Sequence, residues 1–65
     1  MLLMEALAEG PRPAKELDRL AGLHGRLNDA TRYFNELHKR IGSHWRVRGV
    51  RRPGQKYAYA LVMEG

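Results

Sequence analysis

The side chains best suited to chemistry stand in one stretch of this 65-residue chain, LNDATRYFNELHKRI, from Leu27 to Ile41. At about 100° per residue, Leu27, Ala30, Phe34, Leu37 and Ile41 share one stripe of a helix, and Asn28, Arg32, Asn35, Glu36 and Lys39 cluster on the opposite side. Arginine can donate to guanine N7 and O6, asparagine can pair with adenine N6 and N7, and lysine neutralises phosphate. The polar face therefore holds what reading a nucleic-acid groove requires, with Arg32 and Asn35 expected at base edges and Asn28 and Lys39 beside them. A charged outer face is also the ordinary solvated surface of a small domain, so the helix alone does not decide the matter. Glu36 could accept from cytosine N4, but helix pairing with Arg32 and Arg40 at four-residue spacing is the expected arrangement.

Charge distribution separates the two readings. The net charge is +5. Residues 1–25 carry Arg12, Lys15 and Arg19 against Glu5, Glu9, Glu16 and Asp18, a net of −1. Residues 26–56 carry Arg26, Arg32, Lys39, Arg40, Arg46, Arg48, Arg51, Arg52 and Lys56 against Asp29 and Glu36, a net of +7. Positive charge concentrated in one helix and the segment after it is the footprint of a surface that meets phosphates. An anionic membrane is a poorer partner, because the basic stretch has turn and strand character and lacks a broad apolar face for insertion. Charge on an exposed hairpin also protects sheet edges, yet five basic residues without an acid between Ser43 and Lys56 exceed that need.

Catalysis finds little support. His24, His38 and His44 do not form a helical two-histidine ligand pair, and without cysteine there is neither a thiolate metal site nor a disulfide. His38, at the edge of the apolar stripe, is expected to be a half-buried packing residue. Ser43 and His44 are neighbours at a helix end, which is no nucleophile–base geometry. No catalytic residue, metal ligand or cofactor is expected.

The elements that must position the basic residues follow from local signals. Leu2, Leu3, Ala6 and Leu7 recur at helical spacing until Gly10-Pro11 stops the run. Pro11-Arg12-Pro13 must be extended, fits a short strand beside a hairpin, and leaves Pro13 as the first position of a second helix ending at Ala21. Gly22 supplies its carboxy-terminal cap, Leu23 pins the turn, and Asn28 or Asp29 is placed to cap the long helix after Gly25. Two helices joined by a glycine-containing turn make a helix-turn-helix unit.

After Gly42 the period changes to two. Trp45 and Val47 alternate with Arg46 and Arg48, and Tyr57, Tyr59 and Leu61 alternate with Ala58, Ala60 and Val62. Pro53-Gly54 suits the centre of a type II turn, giving a hairpin with a basic tip. The favoured register puts Trp45, Val47, Tyr59 and Leu61 on the core face; a one-residue slip would bury Ala60 and Val62 instead. The expected core is Leu3, Leu7, Leu17, Leu20, Leu23, Phe34, Leu37, Ile41, Trp45, Val47, Tyr59 and Leu61.

This layout is that of a winged helix-turn-helix domain. The motifs L-x-E-A-L-x-E-G at the start, G-L-x-G-R-L before the long helix, E-L-x-K-R-I-G at its end and the closing Y-A-Y-A-L-V resemble small phage and bacterial helix-turn-helix domains. In that group a basic helix precedes a glycine-tipped hairpin, and the likeness covers most of residues 2–62. A fainter similarity, through Leu37 to Ile41 and Val47-Arg48-Gly49 followed by Tyr57 or Tyr59, is to response-regulator effector domains. Their amino-terminal sheet and receiver domain have no counterpart here, so phosphorylation control is not part of the expectation.

The expectations are therefore specific. The fold class is α+β, a single winged helix-turn-helix domain over residues 1–65 with three helices and a carboxy-terminal hairpin wing. The function is sequence-specific double-stranded DNA binding, and the resemblance implies a small phage or prokaryotic transcriptional regulator. The third helix would enter the major groove through Asn28, Arg32, Asn35 and Lys39. Arg51, Arg52 and Lys56, with Arg48, would place the wing on backbone or minor groove, and Arg26 and Arg46 would position the duplex. Competing readings are a protein-interaction module that docks an acidic partner, with Tyr33, Tyr57 and Trp45 as aromatic anchors, and a DNA-architectural or recombination accessory factor. RNA binding is weaker, because the aromatics form no stacking platform. A homodimer through Met1, Leu2 and Met4 would supply the second half-site that operators usually need. No membrane-spanning run or signal peptide is evident, and a cytoplasmic location, at the nucleoid or in a phage-infected host, is expected.

Overall fold

A computed structural model describes residues 2–65, with the side chains of Arg52, Gln55 and Lys56 outside the described set. The elements run α1 (Leu3–Leu7), β1 (Arg12–Pro13), α2 (Ala14–Ala21), α3 (Leu27–Arg40), β2 (Trp45–Arg52) and β3 (Gln55–Met63). The described residues thus form a small α+β fold of three helices and a three-stranded antiparallel sheet of order β1-β3-β2. The order differs from three helices followed by a hairpin, because the extended Arg12-Pro13 pairs with Tyr59 and Ala58 and adds a strand between α1 and α2.

Local chemistry accounts for most boundaries. Pro13 has φ −58° and ψ 148°, so it ends β1 and serves as the cap before α2 rather than its first residue. Gly22 takes φ +65°, and the Leu23 N–H donates to the Asp18 carbonyl at 3.0 Å, closing a Schellman-type end. At the end of α3 the Ser43 N–H donates to the His38 carbonyl at 2.8 Å beside Gly42, at φ +78°. Asp18 Oδ2 accepts from the Gly25 N–H at 2.9 Å, tying the α2–α3 turn back to α2.

The start of α3 is not where side-chain capping would put it. Arg26 is the cap residue, its carbonyl accepting from the Ala30 N–H at 3.0 Å, and no side chain caps the helix. Asn28 and Asp29 lie inside the first turn. Leu27 is buried, so its anchoring in the core fixes where the helix begins, and Asp29 contributes through the helix dipole instead.

Leu3, Ala6, Leu7, Leu17, Leu27 and Val47 form the core, with Leu20, Leu23, Phe34, Tyr59 and Leu61 packed against it. Two expected core residues are exposed: Leu37 is 39% exposed and Ile41 66% exposed. Thr31 is buried and Asn35 and His38 are half-buried, so α3 is rolled by roughly 50° relative to the stripe inferred from apolar residues alone. The reason is that α3 packs chiefly on β2. At five residues, α1 is about 7.5 Å long against about 21 Å for α3 and cannot cover the Leu37–Ile41 end. Trp45 is half-buried and outside the central cluster.

The hairpin has the favoured register. Trp45 pairs with Met63, Val47 with Leu61 and Gly49 with Tyr59, so Val47, Tyr59 and Leu61 turn toward the helices. Ala58 and Ala60 are buried as well, on the opposite face, because β3 is the central strand and its small side chains lie between those of flanking strands. Between Val50↔Ala58 and Arg52↔Gln55 the register shifts, which places an irregularity at the base of the tip. Gly54 at the turn has φ +77°, as the third position of a type II turn requires.

Candidate nucleic-acid interface

Tyr59 on β3 donates its hydroxyl hydrogen to Asn28 Oδ1 across a long 3.4 Å, which sets the middle of the hairpin beside the amino end of α3. From the Gly49↔Tyr59 pair, three further residue steps along β2 carry the tip about 10 Å farther. This projection is consistent with principal extents of 34 × 24 × 18 Å. Arg26, Asn28, Arg32, Lys39, Arg40 and Arg51 are all exposed. Arg52 and Lys56, expected wing contacts, have side chains outside the described residues.

Asn35 is committed elsewhere. Its Nδ2 donates to the Val47 carbonyl at 3.1 Å, and its Oδ1 accepts from the Val47 N–H at 2.8 Å. The side-chain amide thus mimics a peptide group on the outer edge of β2 and satisfies both polar groups of a residue that is only 3% exposed. An asparagine facing a base edge has to present the same two atoms, so Asn35 leaves the set of expected base contacts. Nothing in the local sequence separates these two uses of an asparagine.

The other basic residues divide by what they touch. Arg12, absent from the expected site, donates from Nε to the Ala6 carbonyl and from Nη1 to Glu16 at 2.7 Å, with Glu9 at 3.8 Å, and so staples the end of α1 to the start of α2. Arg48 forms a two-point pair with Glu64, at 2.8 and 2.9 Å. The hydrogen bond and charge of Glu64 raise the Arg48 pKa, and the hydrogen bond from Arg48 holds the Glu64 carboxyl below its ordinary range. Arg46 is half-buried and donates from Nη1 to the Ser43 and Trp45 carbonyls, both at 2.7 Å. Arg46 and Arg48 are therefore partly used within the fold.

Glu36 does not form the expected helix pairs. Among the described residues the salt bridges involve Arg12 and Arg48, and Glu36, Arg32 and Arg40 are each solvent-exposed. A surface pair of this kind gains little against the side-chain entropy it costs. Arg32 is left oriented by its helix alone.

His38 is the packing residue anticipated for it. Its ring stacks on Phe34 with centroids 4.0 Å apart, and Nδ1 lies 2.8 Å from Ser43 Oγ. Ser43 Oγ also accepts from the Trp45 N–H at 3.2 Å, so this hydroxyl closes the helix–strand connection. Tyr33 and Tyr57 are exposed, at 71% and 75%, whereas Trp45 is not free to the same degree. Among the described residues no three His, Asp or Glu side chains are grouped to hold a metal ion, and no helix is long and apolar enough to cross a membrane. No protein-family model, curated protein or solved structure matches this chain.

Proposed function

We propose that the chain is a winged helix-turn-helix domain that binds double-stranded DNA, with α2 and α3 as the helix-turn-helix and β2–β3 as the wing. In this reading Arg32 and Lys39 on α3 face the major groove, Asn28 contributes through its Nδ2 because its Oδ1 accepts from Tyr59, and Arg51, with Arg52 and Lys56, follows the backbone or minor groove. The observation that carries the reading is the contact that sets exposed Asn28, with exposed Arg32 one turn farther along α3, beside the middle of a hairpin whose tip is basic in sequence. A helix of about 21 Å fits along a major groove about 12 Å wide, and a tip reaching about 10 Å farther can meet the flanking backbone. Arg26 sits at the amino end of the same helix and positions phosphate. Regulation of transcription in a phage or prokaryote is the role to which the sequence resemblance points.

The test is a salt titration of binding to a short random duplex, repeated for Arg51→Ala/Arg52→Ala/Lys56→Ala. Each lost phosphate contact flattens the slope of log K against log salt by about 0.9, so three contacts remove about 2.7. Arg32→Ala on a selected operator is expected to relax discrimination at one base pair by about 1–3 kcal/mol. Absence of duplex binding at low salt refutes the DNA reading and moves the basic tip to the docking of an acidic protein.

A further inference from the structure

An apolar groove of about 370 Å³ lies between the start of α1 and the flank of α3, lined by Leu2, Met4, Leu23, Tyr33, Phe34 and Leu37 among others. Among the described residues no side chain lining it carries a fixed charge, and His38 at its end is taken up by Phe34 and Ser43. Leu2 is 71% exposed and Tyr33 71% exposed, and Ile41 continues the same flank of α3 one turn beyond Leu37. Tyr33 stands on the ridge between this groove and a shallower depression at the α2–α3 turn. The surface therefore offers both a slot and a projecting aromatic side chain beside it.

We propose that this surface pairs two copies of the chain about a two-fold axis, with Tyr33 of each copy set into the groove of the other. Two-fold interfaces must be self-complementary, and a ridge adjoining a slot on one surface meets that condition. The exposed parts of Leu2, Tyr33, Leu37 and Ile41 leave on the order of 500 Å² uncovered, the upper range for the largest patch on a monomer. Pairing two such patches buries on the order of 1,000 Å², the threshold for a specific interface, so the dimer is weak and concentration-dependent. Charge agrees with this arrangement: α1 contributes exposed Glu5, and the far end of α3 contributes exposed Arg40, roughly 20° from Tyr33 around the helix, so α1 lies along α3 of the other copy with opposite signs facing.

The pairing surface and the DNA-facing surface lie on opposite sides of α3. The mean direction of Tyr33 and Leu37 is roughly 150° from that of Asn28 and Lys39 at about 100° per residue. The pair leaves both basic faces open. It rests on apolar area and is measured without DNA, so it and the DNA reading can fail separately.

Sedimentation velocity from about 1 µM to about 1 mM reads it directly. The expected result is a shift from one chain mass to two within that range, with Tyr33→Asp and Leu37→Glu each weakening association at least about tenfold while circular dichroism is unchanged. The chain contains no cysteine, so a single introduced one reports alone. Under an added thiol oxidant Tyr33→Cys is expected to form a linked dimer, and Tyr57→Cys, equally exposed but on the hairpin, is expected to stay unlinked. A chain that remains monomeric at about 1 mM overturns the proposal, and assigns the groove to a foreign partner if an apolar dye still binds there. Equal linking of the two cysteine variants, or a dimer unaffected by both groove substitutions, overturns it as well.

Discussion

Asn35→Ala is the most informative single substitution, because it separates an asparagine that reads bases from one that holds the fold. The side chain makes two hydrogen bonds to Val47, at 3.1 and 2.8 Å, and the residue it satisfies is 3% exposed. Truncation removes both bonds and leaves an N–H and a carbonyl with partial access to water at the β2 edge. Each intramolecular bond is worth about 1 kcal/mol net, and a buried polar group left without a partner costs about 1–3 kcal/mol. The expected loss is about 2–3 kcal/mol, after allowance for water reaching the edge. In a domain of this size each kcal/mol moves the melting temperature by about 4–8 °C, so a drop of about 10–20 °C is expected. Asn35→Asp is the discriminating companion. It keeps an acceptor for the Val47 N–H but points a carboxylate at the Val47 carbonyl, and is expected to be no more stable than the alanine variant above the carboxylate pKa. Thermal and urea unfolding followed by circular dichroism measure both, and hydrogen exchange at the Val47 amide reports the local bond. An Asn35→Ala chain that melts within about 2 °C of the original, with Val47 protection unchanged, would refute the assignment. Loss of DNA affinity without loss of stability would return Asn35 to the recognition surface.

Two further outcomes check the packing and the Arg48–Glu64 pair. Leu17 is fully buried, so Leu17→Ala is expected to cost about 2–5 kcal/mol, whereas Ile41→Ala, at 66% exposure, is expected to stay within about 0.5 kcal/mol at concentrations where the chain is monomeric. Comparable losses in urea unfolding would refute the roll of α3. The folded Glu64 carboxyl has a lowered pKa through its hydrogen bond from Arg48, so its contribution to stability is present above the unfolded carboxylate pKa and is lost as pH falls through the lower folded value. Carboxyl NMR titration should show the Glu64 midpoint rising toward the ordinary range in Arg48→Ala and at high salt; an unmoved midpoint would sink the pairing.

Much of the architecture is legible because it depends on near neighbours in the chain. Gly22, Gly42 and Gly54 mark the two helix ends and the hairpin turn, since positive φ strains a residue with a Cβ whatever lies around it. The extended Arg12-Pro13 follows from its prolines, and alternation of Val47 with Arg46 and Arg48 determines which hairpin face turns inward. The segregation of positive charge into residues 26–56 is likewise a property of the chain itself.

Tertiary structure alone decided the roll of α3 and, with it, the membership of the candidate site. A helix wheel ranks side chains by polarity and puts Leu37 and Ile41 inside and Asn35 outside. The fold ranks them by which element lies opposite: α1 is too short to cover Leu37 and Ile41, and the edge of β2 brings unpaired peptide groups to Asn35. A polar residue goes inside when a backbone edge can satisfy it, and an apolar residue stays outside when nothing reaches it. Both conditions depend on residues distant in sequence, which is why periodicity could place the helix but not its rotation.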